Sequence, residues 1–170
     1  MKSINEFIGQ ELQWVHPRLL RSEYELRADD ELLARIHRKG AFRSQASIET
    51  AAGNWMIEQK GLHKIITVLL PDAYTELATI KRGMSCQATL SFLDGREYRW
   101  QRTSFWHDTW TWLNQEGTPL LHLRRGVHVQ FEPAAQDLPE LALLAALGWF
   151  LHKQQEEEAV AVAAIVPVIG

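Results

Sequence analysis

Apolar and polar residues alternate in short segments over most of this chain, from about residue 20 to 132. Side chains on a β-strand point to opposite faces in turn, so the alternation predicts strands with one buried face. Asp94-Gly95, between two alternating segments, gives the clearest hairpin signal. About eleven strands at roughly ten-residue spacing predict an antiparallel meander or a barrel. After two strands that flank Asp29-Asp30, the others are expected at residues 42–49, 54–60, 63–70, 74–82, 84–93, 96–104, 107–114, 118–125 and 127–132.

The pattern changes at LPELALLAALGWFL (Leu138–Leu151), where only Gly148 is not apolar from residue 141 onwards. A helix that is apolar on all sides has to be surrounded by protein, and a sheet that curls around it would supply that cover. The sequence therefore predicts a mainly β protein, a closed antiparallel barrel of about 10–12 strands around a core helix at about 138–153. A lipocalin-like barrel with an open interior is the structural alternative, and the apolar run argues against it.

The two ends of the chain are less regular. Residues 3–15 have apolar positions near helical spacing, and Ser3 with Glu6 resembles a capping box, so a short N-terminal helix is expected. Residues 159–170 leave three alternatives: they extend the core helix to about Val162, pair as a last strand, or form a loose tail. No interval is polar enough for a linker, so residues 1–170 are expected to form a single domain.

Composition narrows the function classes. The chain has 170 residues and a net charge of −3, which gives no electrostatic case for nucleic acid. The single cysteine excludes an intrachain disulfide and fits a reducing compartment. The N-terminus lacks a signal-peptide core, and the apolar run is about half of what a bilayer requires. We expect a cytoplasmic protein.

Many short strands followed by one wholly apolar helix resemble the tubby-like barrel group, which includes the tubby C-terminal domain, the phospholipid scramblases and the LURP-one-related proteins. The resemblance rests on Tyr24–Gly40, Gly53–Leu70 and Glu140–Leu151, and it covers about residues 20 to 153. It implies a closed barrel of roughly twelve strands around a hydrophobic helix. Tubby domains bind phosphoinositides through basic residues, but no tubby ligand position matches here, so that activity is not carried over.

Basic residues at three strand ends are the main binding candidates. Three of the predicted strands each end in two basic residues followed by a glycine, and these three glycines are evenly spaced along the chain. If these ends share one rim, their side chains form a cationic ring suited to phosphate or carboxylate groups. The alternative is dispersed charge that keeps strand ends soluble. The six residues are Arg38, Lys39, Lys81, Arg82, Arg124 and Arg125.

Aromatic and apolar residues suggest a second type of surface. Trp110 and Trp112 share one face of a predicted strand and form either part of the core or an aromatic patch for a partner or lipid. The strand Ile65–Leu70 (IITVLL) is apolar on both faces, so its outer face needs a cover, either the N-terminal helix or a second subunit.

The search for catalytic motifs is negative, and no catalytic residue, metal site or cofactor is predicted. His122 and His128 should face outward on neighbouring strands, without a carboxylate or cysteine to complete a metal site. Asp108 is expected to serve a turn rather than an acid–base pair with His107. Cys86 is expected to be a buried thiol in a strand.

Three functional hypotheses follow. The first is a non-enzymatic module that binds anionic lipid headgroups and is peripheral to a membrane. The second is a protein-interaction or oligomerisation scaffold, including a homo-oligomer. The third is an enzyme of unrecognised type with a site in the loops.

Overall fold

The polypeptide forms a closed barrel in which twelve antiparallel strands surround one helix. The computed structural model describes residues 1–17, 22–39, 44–59, 65–72 and 74–165. Every neighbouring pair of strands is antiparallel, and the first strand closes the barrel by pairing with the last. The strands are β1 (Glu11–Val15), β2 (Glu23–Ala28), β3 (Glu31–Lys39), β4 (Gln45–Thr50), β5 (Gly53–Gln59), β6 (Ile65–Leu70), β7 (Thr75–Arg82), β8 (Ala88–Phe92), β9 (Glu97–Ser104), β10 (Thr109–Leu113), β11 (Pro119–Arg124) and β12 (His128–Phe131).

The predicted fold class is confirmed, with one error at the N-terminus. The expected N-terminal helix is only a 3-10 turn at Ile4–Phe7, and the chain then enters β1. Leu12 and Trp14 alternate with polar residues and point into the barrel, so the strand period was present in the sequence. The helical spacing of the earlier apolar residues obscured it.

The helix α1 (Leu141–Ile165) runs through the barrel along its interior. All its residues from Leu141 to His152 are buried. The helix extends beyond the predicted end at residue 153, and its last part is exposed at Val160, Val162 and Ile165. Of the alternatives for residues 159–170, extension of the helix is therefore observed as far as Ile165, and residues 166–170 lie outside the described part of the chain.

Two tryptophans and one glycine determine how closely α1 approaches the barrel wall. Trp112 donates a hydrogen bond from its indole Nε1 to the carbonyl oxygen of Leu144, at 2.8 Å. Trp100 and Trp112 lie against Gly148, where a Cβ atom would stand 2.9 Å from ring carbons of Trp100. Gly148 therefore lets the helix pack directly on the two indole rings.

The direction of the strands defines the two ends of the barrel. In an antiparallel meander all odd-numbered strands run the same way, so β3, β7, β9 and β11 end at the same rim. Gln154 of α1 hydrogen-bonds to Gln59 at the end of β5, so the helix leaves the barrel at that rim. We call it the exit rim. The helix starts at the opposite rim, where Glu140 accepts hydrogen bonds from Tyr98 and Arg96 near the start of β9.

The outer face of β6 does not need the cover that its sequence suggested. Ile66 and Val68 point into the barrel, and the register with β7 shifts between Val68 and Leu69. Leu69 is also buried. Only Ile65 and Leu70, at the two ends of the strand, are exposed among its large apolar residues.

We expect Gly148→Ala to destabilise the protein. Alanine favours a helix by about 0.5–1 kcal/mol over glycine, but overpacking against buried rings costs about 1–3 kcal/mol. Urea denaturation measures the difference in unfolding free energy. Gly83→Ala is the matched control, because a Cβ there has only an ordinary contact at 3.8 Å. A Gly148→Ala variant as stable as the wild type would show that the indole rings move aside.

Candidate functional site at the exit rim

The three basic strand ends lie at one rim, because β3, β7 and β11 are odd-numbered strands of the meander. The condition for a shared cationic ring is therefore met. The six side chains differ, however, in exposure and in their partners.

Arg38 is not available to a ligand. Its side chain is buried, with the residue 2% exposed, and its guanidinium forms two hydrogen bonds to the Glu157 carboxylate of α1, at 2.6 and 2.9 Å. The guanidinium also lies 5.6 Å from the centre of the Phe150 ring. Arg38 therefore fixes the position at which the helix leaves the barrel.

Arg82 plays the same role at the next residue of the helix. It forms two hydrogen bonds to Glu158, at 2.6 and 2.8 Å, and its side chain is 8% exposed. The bond to Glu158 raises the pKa of Arg82 above its ordinary value. The prediction that Arg38 and Arg82 bind an external anion is corrected, because acidic residues of α1 already bind both guanidinium groups.

Arg124 lies on the outer wall rather than on the rim. It donates a hydrogen bond to Glu11 at 2.9 Å, and His128 contacts the other oxygen of the same carboxylate. His122, also on the outer wall, lies between Glu132 and Thr111, with bonds of 2.9 and 2.8 Å. Both histidines face outward as expected, although carboxylates that the sequence did not indicate lie beside them.

Lys39, Lys81 and Arg125 remain as exposed cations of the predicted ring. No ion pair involves them within the described residues. Arg125 also adopts the left-handed backbone conformation, with φ of 53°, which is unfavourable for an arginine. The backbone therefore holds this charge at the tip of the turn between β11 and β12 at a cost in stability.

The predicted tryptophan patch is wrong. Trp110 and Trp112 both point into the barrel and are buried, because the inner face of β10 packs against α1. Near β10 the exposed aromatic residues are instead Phe105 and Trp106, in the turn between β9 and β10, with exposed fractions of 73% and 90%. Their place between two predicted strands gave a weak signal, since an aromatic pair in a turn has no alternation to follow.

Exposed apolar side chains are concentrated at the exit rim. Among the described residues this rim has Met84, Phe105, Trp106 and Val127 in its turns, Ile65 at the start of β6, and Val160, Val162 and Ile165 on α1. The opposite rim has fewer such residues, namely Met1 beside the start of β3, Tyr74 and Leu93 in its turns and Leu70 at the end of β6. Exposed apolar residues gathered at one end of a protein are typical of an interaction surface.

Asp108 connects this rim to the helix. Its carboxylate accepts hydrogen bonds from Arg102 at 2.8 Å, from the Trp110 indole at 3.2 Å and from His152 at 3.1 Å. Burial opposes ionisation of Asp108, but the bonds from Arg102 and His152 outweigh it, so the pKa of this carboxyl lies below its ordinary value. The sequence assigned Asp108 only to a turn and did not indicate these contacts.

Cys86 is also placed differently from the prediction. It lies exposed in the turn between β7 and β8, rather than buried in a strand. Within the described part of the chain, no group of three or more His, Cys, Asp or Glu side chains could hold a metal ion.

Comparisons with protein-family models, with curated proteins and with solved structures find no match for this chain. None of the described helices combines the length and the apolar content that a bilayer-spanning helix needs.

We expect Glu157→Gln to destabilise the protein by about 1–3 kcal/mol, because it leaves the buried Arg38 charge without its carboxylate. Glu156→Gln is the matched control on the neighbouring helix position. Its carboxylate is half-exposed and pairs with Lys153, so a loss within about 0.5 kcal/mol is expected. Thermal and urea denaturation measure the loss of stability in both variants. Equal effects of the two substitutions would contradict the assigned role of Glu157.

We expect the stability difference between the wild type and Asp108→Asn to depend on pH. A carboxyl whose pKa is lowered on folding stabilises the protein above its unfolded pKa of about 3.9, and this contribution disappears as the pH falls through the folded pKa. The difference should therefore be present above about pH 5 and shrink below about pH 4. Urea titrations at several pH values test this, with the exposed Asp137→Asn as control. A difference that persists unchanged at pH 2.5 would contradict it.

Proposed function

We propose that this protein is a binding module that docks its exit rim on an anionic lipid surface. The observation that carries the proposal is the coincidence, at one rim, of exposed apolar side chains with Lys39, Lys81 and Arg125. Apolar groups that enter the acyl boundary, combined with cations at headgroup level, are the two contributions by which peripheral proteins hold to membranes.

The end of α1 supports this orientation. Glu158, which contacts Arg82, is followed by seven helical residues up to Ile165, so this part of the helix is about 10 Å long. It contains no charged residue, and amphipathic anchors enter the interface to a depth of about 5–10 Å. Trp106 is suited to the same boundary, because an indole has an apolar ring and one polar N–H group.

Sedimentation with vesicles tests the proposal. We expect binding to vesicles that contain phosphatidylglycerol, weak binding to pure phosphatidylcholine, and a decrease between low and physiological salt. Each cation near the surface contributes about 1 kcal/mol to binding. A triple variant with Lys39→Gln, Lys81→Gln and Arg125→Asn should therefore reduce partitioning onto the vesicles by about two orders of magnitude. Arg99→Gln, on the outer face of β9, is the control for charge.

A matched pair of substitutions tests the apolar contribution to vesicle binding. Trp106→Ser should weaken binding, whereas Leu93→Ser, at an exposed apolar residue of the opposite rim, should not. Arg125→Asn alone should weaken binding while it increases stability, because asparagine tolerates the left-handed conformation better than arginine. No binding to any vesicle at low salt would overturn the proposal.

A protein-interaction scaffold is the alternative that the same surface favours, since the exposed end of α1 could pack against a second copy. Light scattering at low salt without lipid separates the two. A dimer that Val162→Ser disrupts would support the scaffold, and a monomer that binds vesicles would support the membrane module.

A further inference from the structure

A cavity of about 630 Å³ opens at the exit rim, between α1 and the turns at residues 83–87 and 105–108. Trp110 and His152 line it as buried residues. Arg102, Asp108 and Glu156 add charged groups to its wall. Met84, Phe105 and Trp106, in the same two turns, are exposed, so the cavity belongs to the surface that we propose to face the membrane.

Arg102 gives the cavity an open cationic group. Its guanidinium lies over the Phe105 and Trp110 rings, at 5.0 and 5.2 Å, and donates one hydrogen bond through Nη2 to Asp108. No hydrogen bond to another described residue uses its Nε or Nη1. Because Nη2 has a second hydrogen, one edge of the planar guanidinium with two N–H groups is left for a phosphate.

Glu156 gives the cavity an open anionic group. Its Oε2 accepts a hydrogen bond from Lys153 at 2.9 Å, whereas its Oε1 lies 3.7 Å from His152 Nδ1, beyond hydrogen-bond distance. Both oxygens of Asp108 are occupied by Arg102, Trp110 and His152. Among the two carboxylates of the cavity wall, Glu156 Oε1 is therefore the oxygen left for a cationic ligand group.

The backbone around the cavity is strained. Ser85, Cys86 and Asp108 have φ values of 58°, 61° and 44°, and all three line the cavity. Residues other than glycine in this conformation cost about 1 kcal/mol or more each, and such strain is concentrated at ligand-binding sites. The two turns therefore hold the cavity open at a cost in stability.

We propose that this cavity binds a zwitterionic headgroup with a phosphate and a primary ammonium, namely the phosphoethanolamine group of an aminophospholipid. The phosphate binds the free edge of Arg102, and the ammonium donates to Glu156 Oε1. A simple anion would meet the carboxylates of Asp108 and Glu156, and a simple cation would meet Arg102, so the charges favour a ligand with both signs. The inference rests on the proposed function for its source of ligand, because the lipid is supplied by the surface on which the rim docks.

The test uses a soluble headgroup, so that it does not depend on membrane docking. Glycerophosphoethanolamine is titrated into the full chain at physiological ionic strength, and the indole N–H signal of Trp110 is followed by NMR. We expect saturable binding, and glycerophosphoglycerol, a phosphodiester that lacks the ammonium, should bind about tenfold more weakly. Glu156→Gln should weaken binding of glycerophosphoethanolamine by about tenfold and remove the preference over glycerophosphoglycerol.

Further variants locate the phosphate. Arg102→Lys keeps a charge beside Asp108 but loses the planar edge, and it should reduce binding by about tenfold or more. Arg99→Gln on the same strand and Glu116→Gln at the opposite rim should leave binding unchanged. Near-ultraviolet circular dichroism checks that each variant keeps the native packing.

The outcomes separate this inference from the proposed function. Equal binding of the two probes, or an unchanged preference in Glu156→Gln, overturns the ammonium site. No saturable binding of glycerophosphoethanolamine overturns the headgroup site, even if the protein still sediments with anionic vesicles. Binding of the probe without any binding to vesicles would instead overturn the membrane module and leave a site for the free headgroup.

Discussion

The burial of α1 inside the barrel is the constraint on which the rest of this structure depends. A helix with apolar residues on every side needs a complete apolar cover, and an open sheet covers only one side. Closure by the pairing of β1 with β12 supplies that cover and leaves the sheet without unpaired edges. Gly148 and the indole rings of Trp100 and Trp112 show how closely the wall follows the helix. The interior is therefore occupied by protein, and binding has to occur at the rims or on the outer wall.

The passage of the helix through the barrel also determines the use of charge at the exit rim. Arg38 and Arg82 lie where the helix emerges, and Glu157 and Glu158 bring two carboxylates to them. The buried guanidinium groups would be costly without these partners, so the acidic run of the helix serves stability. The cations that remain for a partner are those that point away from the helix. The basic residues of this rim thus form two groups: those that pair with the helix and stabilise the fold, and those that point outward, which we assign to binding.

The exit rim combines several features that lower the stability of the protein. It exposes apolar side chains, holds Arg125 and Cys86 in unfavourable backbone conformations, and encloses a cavity beside His152. The opposite rim has fewer exposed apolar residues and binds the start of the helix through Glu140. Asp29 and Tyr74 at the opposite rim also have left-handed backbone conformations. The argument for the docking surface and the headgroup site is therefore the combination of strain, exposed apolar residues and a cavity at one end.

The sequence by itself determined the barrel and its occupied interior. Eleven strands were predicted from alternation, and the core helix was predicted from its apolar run, because both patterns are local and are enforced by burial. It missed β1, because the helical spacing of the apolar residues before this strand obscured the alternation of Leu12 and Trp14 with polar residues. The agreement extends to the architecture that the tubby-like resemblance implied, while membership of that group stays a prediction. Only the tertiary structure decided which basic residues are free, since Arg38 and Glu157 lie 119 positions apart in the chain. It likewise buried Trp110, exposed Trp106 and placed His152 beside Asp108, because closure of the barrel, and not local pattern, sets which distant side chains meet.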